Sequence, residues 1–441
     1  MQNENEKKKL YKKILIGVIA FAGAVAVFFA GFLVHYLTLD DGLRSLLWYK
    51  DMIEKNYYWD LDDDAFWNAA IDGVTGTLDP YSDFYTADEF RAVQEESTGS
   101  SVGVGLSFFS GSNTVAVVSL GSPSFFAGIR AGMSVTGVGK TEADVVDTFT
   151  SAALTEAFSD FGEGDTACLR LSAAGSAETQ DVSYVNVRLA HYIESYVIYA
   201  CEGRAYTVVY DEDGQGAWTD VTQYTDLGGK ATEAGEAYIR ITSFNGNVSA
   251  EFALAAQQYK ADGADTLLLD LRNNGGGFVS DMQTISSYFL KGAEGKQAVM
   301  YAEYKNGNRI SYYSGENLWE QYFAGSEIYA AANRNTASAS EALLGVLVDF
   351  GVLEEGHLFI TDTTNGAQAA RTYGKGIMQS TYYNFFTGEA AKLTCARVLW
   401  PSGRCIHDVG ITTEDPVATA SPARSYAEYG DPELDAILAA I

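Results

Sequence analysis

The chain has 441 residues, 47% of them hydrophobic and only six of them proline, a composition that fits two or three globular domains and argues against long disordered linkers. Its formal net charge of −29 repels polyanions, which argues against nonspecific binding to nucleic acid or anionic lipid. The four cysteines and four histidines stand at spacings that resemble no zinc site, so no metal is expected.

Residues 1–13 form a basic tail carrying Lys7, Lys8, Lys9, Lys12 and Lys13, and an almost uncharged apolar run follows from Ile14 to Leu39. The run is long enough to span a bilayer, and no small-residue cleavage pattern follows it, so residues 14–39 are predicted to be an uncleaved transmembrane helix. The lysines keep the N-terminus cytoplasmic, which places the remainder of the chain outside the membrane. From 40 to 97 the pattern is helical. Leu43, Leu46, Leu47, Tyr49 and Ile53 recur at helical spacing, Phe66, Ala69, Ala70 and Val74 suggest a second helix, and Leu78-Asp79-Pro80-Tyr81-Ser82 reads as a turn.

Residues 98–190 change to short β-like runs and form a small β-rich domain. Its glycine-rich loop, Gly103, Val104, Gly105 and Leu106, opens a strand. Free N–H groups in such a loop can hold a peptide's terminal carboxylate while the strand edge pairs with the peptide backbone. Residues 191–420 read as α/β: a strand at Glu236–Ile241, a helix over 250–259, a buried strand from Thr266 to Leu271 running into Arg272-Asn273-Asn274-Gly275-Gly276-Gly277, a helix over 338–350 and a strand over 376–383. A helical segment, 421–441, closes the chain, giving a multi-domain α/β protein. Cys395 and Cys405 flank the turn Trp400-Pro401-Ser402-Gly403; a disulfide and two free thiols both remain open readings.

The chemistry-bearing stretch is Thr336-Ala337-Ser338-Ala339-Ser340-Glu341, followed by Tyr373-Gly374-Lys375-Gly376. Ser338 and Glu341 make an S-x-x-E capping box, an ordinary helix start, but Ser338 is also a nucleophile candidate if a base can take its proton. Lys375, between two glycines in an apolar context, is the candidate base, because desolvation lowers a lysine pKa and frees the amine. In a strand Gln379 would share a face with Lys375, so its amide can orient the amine. Donors for a developing oxyanion are available from the backbone N–H groups of Gly275-Gly276-Gly277 and of Ala339. No serine lies three residues before a lysine, which excludes the S-x-x-K arrangement, and the one G-x-S-x-G match, Gly99–Gly103, enters a strand where the nucleophile elbow needs strand, turn and helix.

Together these residues resemble the C-terminal processing peptidases, also called tail-specific serine proteases, in the family's order from about residue 43 to 415. The resemblance is carried by Leu78-Asp79-Pro80-Tyr81-Ser82, by Gly103-Val104-Gly105 with Ser122-Pro123 and Ala127-Gly128-Ile129, and by Ala237-Tyr238-Ile239-Arg240-Ile241 with Phe244. It continues through Leu269 to Gly277, Thr336 to Glu341, Tyr373 to Gly376 with Gln379, and Pro401-Ser402-Gly403-Arg404 with Ile406-His407. It implies an inserted PDZ domain at 98–190 and a protease core at 191–420. It further implies Ser338 as nucleophile, Lys375 as general base, Gln379 as its orienting partner, and an oxyanion hole from the N–H groups of Gly277 and Ala339. No cofactor is implied. The implied partners are protein or peptide substrates held by their C-termini through the PDZ loop, with self-association left open. A noncatalytic peptide-binding scaffold and a protease whose PDZ domain blocks its own cleft are the competing readings. Two departures stand out: the connection from Ser338 to Lys375 is longer than is common, with the excess around Glu354 to Arg371, and Met133 stands where the PDZ turn usually carries an acidic residue.

Overall fold

A computed structural model describes residues 2–172, 182–225, 227, 235–361, 370–420 and 431–441. The chain divides into two compact units, Met1–Leu78 and Asp79–Ile441.

The first unit is helical, with helices Gln2–Thr38, Asp41–Asn56 and Asp63–Thr75. The second and third start on aspartate caps: Asp40 accepts from the Gly42 N–H at 2.8 Å and Asp62 from the Ala65 N–H at 3.0 Å. Along the first helix Leu15, Phe21, Val27 and Phe28 are exposed. Among the described residues, no helix is long and apolar enough to cross a membrane.

The second unit is built on an eight-stranded sheet in the order Gly216–Asp220, Arg204–Tyr210, Val197–Cys201, Glu236–Ile241, Thr266–Asp270, Glu327–Asn333, Leu358–Thr361 and Ala418–Ala420, counted among the described residues. From Glu236–Ile241 onward neighbouring strands run parallel. That explains the unbroken apolar run Leu267-Leu268-Leu269, each residue 1% exposed or less, because a parallel sheet is covered on both faces. On one face the helices Val248–Asp262, Val279–Ser286 and Ala339–Asp349 contribute Phe252, Met282, Leu343 and Leu347 to the main core. On the other, Tyr238 and Leu268 meet Leu434 and Ile437 of the Pro432–Leu438 helix. A second sheet joins Asp83–Tyr85, Ala390–Leu399, Ala298–Tyr304 and Arg309–Tyr313, with Ile377–Tyr383 paired on Ala390–Leu399.

The β-rich region holds a four-stranded antiparallel sheet, ordered Val146–Asp147, Ser134–Gly139, Thr166–Ser172 and Val182–Arg188. It has its own core of Val115, Ile129, Val135, Leu154, Leu169 and Val187. It belongs to the same compact unit as the larger sheet, because Phe125 of its short Pro123–Phe126 helix is buried with Ile198 and Tyr238.

Three expected boundaries shift. The segment from 40 to 97 is helical at Asp41–Asn56, Asp63–Thr75 and Ala87–Ser97, with a short strand before the last of these. The unit boundary falls after Leu78, and Asp83–Tyr85 is a strand paired with 390–392, because the Asp79 and Ser82 side chains are bonded to Thr394. The 190/191 boundary cuts the strand Ala190–Ile193, which pairs with Ser100–Gly103. In the closing segment, residues 421–430 lie outside those described, and the Pro432–Leu438 helix is part of the core rather than an appendage. Cys395 and Cys405 are free thiols; Cys395 Sγ lies 3.1 Å from Ser380 Oγ.

Candidate active site

Ser338 stands between the Glu327–Asn333 strand and the Ala339–Asp349 helix, the strand-turn-helix order that a nucleophile elbow requires. Its backbone sits at φ 58° and ψ −116°, a region that costs a residue with a side chain about 1–3 kcal/mol. Hydrogen bonds hold the turn there. Thr336 Oγ1 donates to the Leu271 carbonyl at 2.8 Å and accepts from the Asn333 N–H at 2.9 Å, and the Ala337 N–H donates to the Asn274 carbonyl at 3.0 Å. Leu271 and Asn274 follow the neighbouring parallel strand, so the glycine loop and the serine turn emerge side by side at the carboxyl ends of adjacent strands, the usual site position of an open α/β sheet.

The carboxylate of Glu341 joins the serine turn to the lysine segment. Fully buried, it accepts from the Ser338 N–H at 3.1 Å and the Lys375 N–H at 2.8 Å on Oε2. On Oε1 it accepts from the Gly374 N–H at 2.8 Å and Thr372 Oγ1 at 2.6 Å. Burial pushes its pKa up, and these four donors act against that rise. The capping box legible in the sequence is therefore also a tertiary clamp. It closes the long connection from Ser338 to Lys375, whose residues 362–369 lie outside those described.

Lys375 is half-buried, with its Nζ 4.6 Å from the centre of the Tyr81 ring. Burial lowers its pKa, the Lys392 ammonium lowers it further, and Asp79 and Glu341 pull the other way. Tyr81 also donates its hydroxyl to Tyr373 at 2.8 Å, and burial raises its own pKa. Among the described residues no hydrogen bond joins Lys375 Nζ to Ser338 Oγ.

Gln379 lies in the Ile377–Tyr383 strand, and Lys375 falls just before that strand begins. The glutamine amide donates to Thr394 Oγ1 at 3.0 Å, and Thr394 donates in turn to Asp79 at 2.9 Å. Asp79 also accepts from Ser82 Oγ and the Tyr81 N–H. Burial pushes its pKa up, but these bonds outweigh it and hold the carboxyl below its ordinary value. Sequence reasoning gave Asp79, Tyr81 and Thr394 no part in the site. Asp79 and Tyr81 were legible as a turn and as part of a motif carrying the resemblance, and nothing local marks Thr394 as the partner of Asp79 across 315 residues.

The glycine loop approaches from the other side. Gly276, at φ 103°, is so close to the serine turn that a Cβ there would lie 2.8 Å from Ser338 Cβ and 2.9 Å from the Ala339 nitrogen. Gly277 forms a parallel bridge with Phe244, made by the Phe244 N–H to the Gly276 carbonyl at 2.9 Å and the Phe278 N–H to the Phe244 carbonyl at 2.7 Å. That pattern leaves the N–H of Gly277 itself directed away from Phe244. Ala339 is the first helical residue, and its N–H is one of the four that a helix leaves without an internal partner.

In the β-rich region the Val104 and Gly105 carbonyls accept from the Ser124 and Ser119 N–H groups, each at 3.0 Å, and Leu106 begins the strand Leu106–Phe108 after Gly103 ends the preceding one. The rival motif at 99–103 leads into the Ser100–Gly103 strand rather than out of one.

An open α/β sheet that delivers a strained serine, a helix N-terminus and a half-buried lysine to one edge has the architecture of a serine peptidase. Residues 236–417 match the model of peptidase family S41. A probable CtpA-like serine protease of Staphylococcus aureus is 26% identical over 95% of this chain and 75% of its own length, and one from Staphylococcus saprophyticus is 24% identical over 93% and 73%. A putative S41 protease from Bacteroides fragilis shares the fold, with a TM-score of 0.50 at 13% identity over 89% of this chain and 96% of that one. With these relatives, the match over residues 236–417 marks the protein as a serine peptidase of the C-terminal processing type.

Proposed function

We propose that this protein is a membrane-anchored endopeptidase that hydrolyses peptide bonds near the C-termini of extracytoplasmic proteins, with Ser338 as nucleophile and Lys375 as general base. Ser338 Oγ attacks the scissile carbonyl carbon as its proton passes to the neutral amine of Lys375. The N–H groups of Gly277 and Ala339 hold the oxyanion. Collapse releases the amine product, which takes the proton back from the Lys375 ammonium, and water hydrolyses the acyl-enzyme by the reverse use of the same amine. Gln379 orients Lys375 once its amide turns from Thr394. The observation that carries this reading is the single Glu341 oxygen bonded to the backbones of both Ser338 and Lys375.

The β-rich region acts as a PDZ domain whose Gly103–Leu106 loop takes the substrate's C-terminal carboxylate. The anchor rests on the apolar run 14–39, which sequence places behind five lysines, and on exposed apolar side chains such as Phe21 and Val27. A serine-reactive phosphonate tests the chemistry. Stoichiometric labelling, lost in Ser338→Ala, and turnover abolished in a folded Lys375→Ala are expected. Labelling that persists in Ser338→Ala, or wild-type turnover in Lys375→Ala, overturns the assignment.

A further inference from the structure

Beside the serine–lysine site is a cavity of about 300 Å³ lined by Tyr81, Arg334, Arg371, Tyr373, Gly374 and Asp408. It shares a wall with the reaction centre. Tyr81 lies beneath the Lys375 amine, Tyr373 and Gly374 immediately precede Lys375, and the Tyr373 N–H donates to the Thr336 carbonyl at 3.0 Å, two residues before Ser338. Whatever occupies this cavity therefore lies next to the bond being cut.

Two arginines in one cavity are out of character for a chain of net charge −29, whose overall field repels acidic ligands. Both are placed by structure. Arg334 sits on the turn after the Glu327–Asn333 strand, where Asn333 and Asn273 bond reciprocally: the Asn273 N–H to Asn333 Oδ1 at 3.0 Å, and Asn333 Nδ2 to Asn273 Oδ1 at 2.9 Å. Asn335 Nδ2 adds a third bond to Asn273 Oδ1 at 3.0 Å, so the residues on both sides of Arg334 are braced. Arg371 is fixed through Nη1, which donates to the Asp408 and Val409 carbonyls at 2.8 and 3.0 Å. A guanidinium has five donors, so its Nε and Nη2 edge remains for a ligand. Asp408 is the one acid on the lining. Its carboxylate is 88% exposed and lies 3.6 Å from His407 Nε2. Among the described residues, neither arginine has a carboxylate partner.

We propose that Arg334 and Arg371 form a subsite for a substrate carboxylate flanking the scissile bond. The planar fork of arginine matches a carboxylate in two hydrogen bonds, and the Tyr81 and Tyr373 side chains complete the same lining. The inference rests on Ser338 and Lys375 being the reacting pair. The carboxylate has two sources, an acidic side chain within a residue or two of the scissile bond, or the free C-terminus of a chain cut very near its end.

Three matched peptides separate these sources: one with an acidic side chain and an amidated C-terminus, one with the carboxamide side chain and a free C-terminus, and one with both positions uncharged. For the full-length enzyme, kcat/KM should be about tenfold or more higher for one of the charged peptides than for the uncharged peptide. That ratio should fall toward one in Arg334→Gln and Arg371→Gln, and shrink with added salt. Equal rates on all three peptides, or a loss in the arginine variants that is the same for charged and uncharged peptides, would overturn the subsite. Phosphonate labelling of Ser338 is read in the same preparations. Absent labelling refutes the reacting pair and the subsite that rests on it, whereas labelling without charge preference refutes the subsite alone.

Discussion

Ser338 and Lys375, 37 residues apart in sequence, donate their backbone N–H groups to the same atom, Oε2 of Glu341, at 3.1 and 2.8 Å. A carboxylate accepts all four of the bonds converging here, whereas a carboxamide offers only one acceptor oxygen. Glu341→Gln should therefore misplace the lysine segment relative to the serine turn. We expect destabilisation of about 2 kcal/mol, seen as a lowered Tm, and a fall of at least tenfold in kcat/KM with the secondary structure retained. Activity equal to wild type would show that Glu341 is only a helix cap.

The lowered pKa of Lys375 sets the sign of the pH dependence. Under the proposed mechanism the amine below that pKa carries a proton and has no lone pair for the serine proton, so activity should climb as pH rises, with its inflection below the ordinary lysine value. The Lys392 ammonium contributes to the lowering. Lys392→Gln should move the acid limb of kcat/KM to higher pH, and a limb that stays put or moves down would count against Lys375 as the base.

Gly276 permits the close approach of the glycine loop to the serine turn. In Gly276→Ala the new Cβ would meet Ser338 Cβ and the Ala337 carbonyl oxygen at 2.8 and 2.9 Å, from a backbone at φ 103° that disfavours any side chain. Phosphonate labelling should slow by a hundredfold or more, on the order of 3 kcal/mol of lost oxyanion stabilisation. Far-ultraviolet circular dichroism would establish that the fold persists.

The strained backbone of Ser338 gives a prediction of opposite sign. Glycine reaches φ 58° and ψ −116° without a Cβ penalty, so Ser338→Gly should raise stability by about 1 kcal/mol while abolishing activity. Ser338→Ala keeps the strain and should give no such gain. Denaturant unfolding of the two variants side by side distinguishes strain from lost chemistry.

Arg272, at the head of the glycine loop, is 3% exposed and is held from two sides. Its Nη2 lies 2.7 Å from Asp270 and 2.6 Å from Asp431, which caps the Pro432–Leu438 helix. Burial acts to raise the Asp431 pKa, but the Arg272 guanidinium outweighs it and holds the carboxyl at about 2. Because the folded value lies below the unfolded one, the stability is present above the unfolded carboxylate pKa of about 3.9 and is lost as pH falls through the folded value. Asp431→Asn should lower Tm at neutral pH and flatten its decline between about pH 4 and pH 2. A decline as steep as that of wild type would assign the acid sensitivity elsewhere.

Much of the candidate site was legible in the chain because its parts are local. The serine before an apolar helix, the lysine between glycines, the glycine loop after Leu267-Leu268-Leu269, and the parallel strands of a buried sheet are each written within a few neighbouring residues, where periodicity and turn chemistry act. Tertiary structure decided what bonds at long range decide. It made a helix-capping glutamate into the clamp on Lys375, set the Asp79 turn against Thr394 and thereby moved the unit boundary to Leu78, and aimed the Gln379 amide at Thr394. It also gathered Arg334 and Arg371 into one cavity. Sequence spacing carries no information about which distant carboxylate or hydroxyl a buried donor will meet, since that choice is made by packing and by the cost of leaving a buried polar group unpaired.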